Sequence, residues 1–205
     1  MSHDIIQGVP RSEPGWLEQF QLQNGYPELY NRKAVLIGDS MAFRWPQDLK
    51  WPGLDQTPAK FAIGGDRAEN VLWRLEHIGG RLDRANFVMI FAGTNNVTTE
   101  TDAVAISSCL FKIVKCVRSL SKNSLIILSS ILYRGENLNF RRPFIDNING
   151  ILRKKSSELD FLFLDVNGTI DKEVGGSLSF HLYSDYVHLS SEGYKVLASM
   201  IGRLV

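Results

Sequence analysis

The 205-residue chain is poor in cysteine and histidine and carries no excess charge of either sign. Its two cysteines, Cys109 and Cys116, sit in a helical pattern on one face about two turns apart, too far to bond each other. They read as free, buried thiols, which a reducing cytoplasm tolerates, and no metal-ligand spacing involves them. Lys and Arg number 23 against 22 Asp and Glu, for a formal net charge of +1, which gives no reason to expect a polyanionic partner. Arg141-Arg142 and Arg153-Lys154-Lys155 are the basic clusters, and without interleaved aromatics they read as solvated helix faces, not a nucleic-acid site. No apolar stretch approaches the roughly 20 residues that span a bilayer. Met1 to Trp16 is polar, contains Pro10 and Pro14, and lacks the apolar core of a signal peptide. A cytoplasmic protein with no transmembrane segment is expected.

With 44% hydrophobic and 22% charged residues, the composition is that of one well-packed domain. Residues 1–32 read as an irregular lead-in packed on that domain, with Trp16 and Tyr26 as anchors. Residues 33–205 then alternate strand and helix. Lys33 to Ile37, Ala59 to Ile63, Phe87 to Ala92, Ser124 to Leu128 and Phe161 to Val166 are the predicted strands. Apolar residues near a 3.6 period predict helices over Arg67 to His77, Asp102 to Ser121, Phe140 to Glu158 and Ser191 to Val205, the last capped by Ser190 or Ser191. Almost wholly apolar strands alternating with helices predict a five-stranded parallel sheet in a three-layer α/β/α, flavodoxin-like sandwich.

That architecture says where a site belongs. Ligands of open α/β sheets bind beyond the carboxyl ends of the strands, near the point where strand order reverses. Gly38-Asp39-Ser40, Gly64-Gly65-Asp66 and Gly93-Thr94-Asn95-Asn96 each follow a predicted strand, and Asp185-Tyr186-Val187-His188 precedes the last helix. Four distant blocks are thus expected to meet on one edge.

Together they supply the parts for acyl transfer by a serine nucleophile. Ser40 opens a helical turn, so one residue can give both the nucleophile and an N–H oxyanion donor; alone, it would pass for an N-cap serine. His188 is the candidate general base, with Asp185 three residues earlier to fix its tautomer. His181 is the rival but lacks a carboxylate three positions upstream. Gly65 and Asn95 are candidate oxyanion donors, a backbone amide unobstructed by a Cβ and a neutral side-chain N–H; singly, both blocks would read as turns. Asp39 and Asp66 are expected to bond nearby backbone amides. Trp45, Tyr133 and Arg134, past strand ends, are candidates to line the substrate pocket, with core packing or exposure as the alternative.

The four blocks resemble those of the SGNH (GDSL-type) hydrolase superfamily, with closer similarity to the platelet-activating-factor acetylhydrolase Ib catalytic-subunit group. Phe61 to Asp66, Val71 to Glu76, Gly93 to Asn96 and Asp185 to Ser190 carry that similarity. The resemblance spans residues 33 to 205 and implies Ser40 as nucleophile, Gly65 and Asn95 as oxyanion donors, and Asp185 with His188 completing a triad. Ala62 stands where relatives often have glycine, Arg67 replaces a small or polar residue, and the lead-in finds no clear counterpart. A small-acyl preference and a homodimer are likewise implied by the resemblance alone. The α/β-hydrolase elbow Gly-x-Ser-x-Gly is absent, because Ala42 stands two after Ser40.

The expected function is a cofactor-free, metal-independent serine esterase acting on a lipid or sugar acyl ester. A carbohydrate O-deacetylase or O-acyltransferase with the same triad is the second reading. A non-catalytic binding module is the third, since a fold alone does not fix function.

Overall fold

In a computed structural model, residues 7–173 and 180–205 are described; the first six residues of the lead-in lie outside them. Five short runs pair into one sheet: β1 Ala34–Gly38, β2 Ala59–Ala62, β3 Phe87–Phe91, β4 Leu125–Ser129 and β5 Leu162–Leu164. All four pairings are parallel and the order is β2-β1-β3-β4-β5. The fold class expected from the alternating pattern is the one observed.

Because successive side chains of a strand point to opposite faces, each apolar run feeds two cores. Val35, Ile37, Val88, Ile90, Ile126 and Leu128 face one layer, with α4 (Ala68–Glu76), α5 (Ala103–Leu120) and α6 (Arg142–Lys155) packed on them. Ala34, Leu36, Met89, Phe91 and Ile127 face the other, covered by α3 (Ser40–Phe43), α7 (Val166–Glu173) and α8 (Ser191–Gly202). Helix α5 starts where Asp102 Oδ1 accepts from the amides of Val104 and Ala105. Helix α8 starts where Ser190 Oγ accepts from Gly193 at 3.2 Å, which decides between the two cap candidates. Cys109 is buried as expected, whereas Cys116 is only partly so; both are free. Among the described residues, no helix is long and apolar enough to cross a membrane.

The lead-in differs from expectation. It folds into α1 (Trp16–Asn24) and α2 (Pro27–Asn31). Trp16 and Phe20, one turn apart on α1, are buried against Phe61 and Trp73, with ring centroids 5.3–6.4 Å apart. Only this pair of side chains signals the helix; the intervening Gln and Glu face water. Tyr26, the other expected anchor, is exposed.

The topology sets the crevice. From β1 the chain passes to β2 on one side and then to β3 on the other, so the loops after β1 and β3 diverge at the switch point. Gly38 ends β1 with φ +147°, where a Cβ would sit 1.7 Å from the Phe91 carbonyl oxygen. A bare glycine lets the two strand ends close up, and Asp39 N–H then donates to that same carbonyl at 3.0 Å.

Candidate active site

Ser40 is the first residue of α3, positioned by the close-packed end of β1. Its cap is Asp39, whose Oδ1 accepts from the Met41 amide at 2.9 Å, as expected for that carboxylate. The Ser40 N–H, first in its helix, has no intrahelical acceptor.

The histidine comes from the far end of the chain. Tyr183 and Leu189 form an antiparallel bridge, and Ser184 N–H donates to the His188 carbonyl at 2.8 Å, closing residues 183–189 into a tight loop. Tyr194 on α8, the helix that follows this loop, ties α8 to α3 by donating its hydroxyl to the Met41 carbonyl at 2.7 Å. His188 Nε2 then lies 2.9 Å from Ser40 Oγ, and its Nδ1 lies 2.8 Å from Asp185 Oδ2. Asp185 Oδ1 accepts from the amides of Val187 and His188, each at 2.7 Å. Arg44 approaches Asp185 Oδ2 at 3.5 Å. Against the upward push of desolvation, the hydrogen bonds from the amide and ring of His188 and from the Val187 amide pull the Asp185 carboxyl down to about 2. His181, the rival, is exposed, and its carbonyl accepts from Ser190 Oγ.

The turn after β2 brings Gly64 and Gly65 beside the serine. A Cβ on Gly64 would lie 3.9 Å from Ser40 Cβ. Gly65 has φ +83°, a conformation L side chains rarely adopt, and its amide meets no acceptor among the described residues. Asn95, after β3, donates Nδ2 to the Asp66 carbonyl at 2.8 Å. An amide nitrogen carries two hydrogens, so one remains free. Asn96 serves structure: its Oδ1 accepts from Ala68 N, capping α4.

Of the three pocket candidates, one stands near these groups. Arg134 NH1 donates to the Thr94 carbonyl at 2.7 Å, next to Asn95. Desolvation lowers the Arg134 pKa, against the raising influence of Asp39 and Asp185. The adjacent Gly135 amide donates to the Tyr186 carbonyl at 2.7 Å, joining the loop after β4 to the histidine loop. Trp45, by contrast, is 1% exposed and packs on Trp51 and Tyr194; core packing claims it, because an apolar ring past a short helix covers the sheet. Tyr133 is tied to α6, its hydroxyl on Asp146 at 2.5 Å and its ring under Arg142.

Beneath the site Asp66 gathers two arginines, Arg74 and Arg11, that the four sequence blocks do not single out. Asp66 does not bond backbone amides as expected. Its carboxylate accepts from Trp16 Nε1 at 2.7 Å, Arg74 Nε at 2.8 Å and Arg11 NH1 at 3.3 Å. Arg74 has no exposed surface and also holds the carbonyls of Gly38 and Phe61. Its signal was present: a charge at position 74 falls on the apolar stripe of Val71 and Leu75. Arg11, among prolines, carried no periodic signal. Arg67, where the sequence departs from the relatives, is held by Glu69 at 2.6 Å and by Glu100. Among the described residues, no group of three or more His, Cys, Asp or Glu side chains converges to hold a metal ion.

The model of the GDSL-like lipase/acylhydrolase family matches residues 36–196. The chain belongs to this family. It is a carboxylic ester hydrolase of the GDSL type. The alpha1 subunit of platelet-activating factor acetylhydrolase IB from Rattus norvegicus is 29% identical over 216 residues, covering 96% of this chain and 90% of that protein. The alpha2 subunit from the same species is 28% identical over 177 residues, covering 84% and 75%. At 96% coverage the match takes in part of the first 32 residues, so the lead-in has a counterpart after all. A solved GDSL-like lipase from Bacteroides thetaiotaomicron superposes with a TM-score of 0.71 at 17% identity, covering 91% of this chain and 95% of that one. That likeness concerns the SGNH hydrolase fold.

Proposed function

We propose that the chain hydrolyses short acyl esters, acetyl esters foremost, through a Ser40–His188–Asp185 triad and a covalent acyl-enzyme. The observation that carries the reading is the unbroken chain of hydrogen bonds from Asp185 Oδ2 through His188 to Ser40 Oγ, at 2.8 and 2.9 Å. Ser40 Oγ attacks the acyl carbon while His188 Nε2 accepts its proton. Asp185, already ionised and locked by two backbone amides, holds the ring in the tautomer with Nδ1–H and stabilises the imidazolium that forms.

The carbonyl oxygen gains charge as the tetrahedral intermediate forms. The free N–H groups of Ser40 and Gly65 and the second hydrogen of Asn95 Nδ2 receive it. Collapse breaks the ester C–O bond, and His188 returns its proton to the departing alcohol. Water, deprotonated by His188, then attacks the acyl-enzyme, and a second collapse releases the acid and restores Ser40. The acetyl preference rests on the acetylhydrolase relatives, at 28–29% identity.

The test is hydrolysis of p-nitrophenyl esters from acetyl to octanoyl by wild type and Ser40→Ala, with mass spectrometry after a fluorophosphonate probe. Activity falling with chain length, lost in Ser40→Ala, and an adduct on Ser40 alone are expected. Equal rates for the two proteins would sink the mechanism.

A further inference from the structure

The Gly64–Gly65 peptide is close to two side chains, Ser40 and Arg11. Ser40 approaches Gly64, with its Cβ 3.9 Å from the Cβ position of that glycine. Arg11 holds the peptide itself, with NH1 donating to the Gly64 carbonyl at 2.8 Å and standing 3.0 Å from the Cβ position of Gly65. In a planar trans peptide, the carbonyl of one residue and the N–H of the next point in opposite directions. A donor that fixes the Gly64 carbonyl therefore aims the Gly65 N–H away from itself.

Arg11 is itself held. Its Nε and NH2 grip the two carboxylate oxygens of Glu13 at 3.0 and 2.9 Å, and its NH1 also reaches Asp66 Oδ1 at 3.3 Å. The hydrogen bonds with Glu13 and Asp66 raise the guanidinium pKa against desolvation, with the Glu13 bond the largest influence, so the clamp stays charged. Trp16, on the same segment, shares Asp66 Oδ1 at 2.7 Å. The turn needs such a clamp, because two successive glycines carry no side chain to fix their peptide plane and both rotate freely.

We infer that Arg11 is a positioning residue for the oxyanion site, and that residues 11–16 act as a brace setting the direction of the Gly65 N–H. This rests on the Ser40 mechanism proposed above, and it gives the N-terminal segment a part in catalysis without contact to substrate. Losing the clamp should leave ester binding intact while loosening a donor that matters only when negative charge develops.

The experiment compares wild type, Arg11→Ala, Arg11→Lys and Ser40→Ala on p-nitrophenyl acetate, with phenylboronic acid as a tetrahedral inhibitor and thermal unfolding as the fold check. In Arg11→Ala, kcat should fall on the order of 10- to 100-fold with KM near wild type, as for a misaimed catalytic group. Boronate inhibition should weaken in parallel. Arg11→Lys, keeping one charged donor for the Gly64 carbonyl, should recover part of both. Wild-type kcat in Arg11→Ala, a loss confined to KM, or unaltered boronate affinity would overturn the inference. Should Arg11→Ala not fold, Arg11→Met, which keeps an apolar stem and has no donor for the Gly64 carbonyl, decides by the same criteria. Activity persisting in Ser40→Ala would instead overturn the mechanism; an inactive Ser40→Ala beside an unimpaired Arg11→Ala removes only the brace.

Discussion

Arg74 Nε donates to Asp66 Oδ2 at 2.8 Å, and neither side chain has any exposed surface. Desolvation pushes the Asp66 carboxyl pKa up and the Arg74 guanidinium pKa down, and their mutual attraction opposes both shifts. Such a pair adds little net stability, yet removing one partner strands the other. Arg74 also satisfies the carbonyls of Gly38, the last residue of β1, and Phe61, the last but one of β2, just before the serine and glycine blocks. It therefore underpins the site from the core side.

Arg74→Met should destabilise the fold by about 3–5 kcal/mol, the range for removing one partner of a buried ion pair, because Asp66 Oδ2 loses its donor and Arg11 and Trp16 reach only Oδ1. Urea unfolding at neutral pH measures it. A loss no larger than that of an exposed Arg81→Ala control would contradict the buried-network account.

Asp185→Asn preserves shape but removes the charge that orients His188. Because the Asp185 pKa is pulled down to about 2, its carboxylate stays ionised throughout the range in which esterases are assayed. The substitution should lower kcat on the order of 10³- to 10⁴-fold, with KM little changed. A milder loss would mean that Arg44 and the loop amides hold the ring without the carboxylate.

Asn95→Ala should lower kcat on the order of 10²- to 10³-fold, the usual cost of one oxyanion donor. The alternative is that Asn95 only ties the loop after β3 to the Asp66 carbonyl. Asn95→Asp breaks the tie to the Asp66 carbonyl as Asn95→Ala does, but tests the oxyanion role by adding charge at the site. An ionised carboxylate has no N–H for either partner and would place negative charge beside the developing oxyanion. Activity in Asn95→Asp above that of Asn95→Ala would return the residue to a structural role.

Most of this arrangement was legible because strands buried on both faces leave continuous apolar runs, and Ala34–Gly38 and Phe87–Phe91 are such runs. Helix α5 was legible through its apolar periodicity, from Ile106 to Val117. What escaped had a physical reason in each case. Helix α1 touches the core mainly through Trp16 and Phe20, too few residues to set a period. Helix α6 begins at Arg142 and not at Phe140, because Arg141 takes a left-handed conformation with φ +50°. Helix α7 starts at Val166, inside the run expected as a strand, because Asp165 caps it, its Oδ1 accepting from the Gly168 N–H at 3.1 Å. Sequence locates Trp45 past a strand but cannot say which way its ring turns, so it leaves pocket and core both open. Arg11 acts through a contact 53 residues away with the Gly64 carbonyl, a relation that local pattern does not encode.

The pH dependence of stability should carry the mark of Asp39. Its side chain is fully buried, and its Oδ2 has no hydrogen-bond partner among the described residues. Desolvation, against the Met41 amide, and then the nearby Asp66 charge raise its pKa from 3.8 to about 7, with Arg74 and Arg134 pulling the other way. The sign follows from linkage. Between about pH 4 and 7 the unfolded chain has released this proton while the folded chain still holds it, so the folded state binds more protons and stability falls as pH rises. This contribution is opposite to that of Asp185, whose lowered pKa gives stability above about pH 4 that is lost as pH falls toward 2. A raised pKa of this size corresponds to at most about 4 kcal/mol lost across the interval. Asp39→Asn keeps an oxygen for the Met41 amide and removes the titration. Urea unfolding from pH 4.5 to 7.5 should therefore give a flatter stability profile for Asp39→Asn than for wild type, the gap widening toward neutral pH. Parallel profiles would show that Asp39 keeps its charge when folded, with Arg74 and Arg134 outweighing burial.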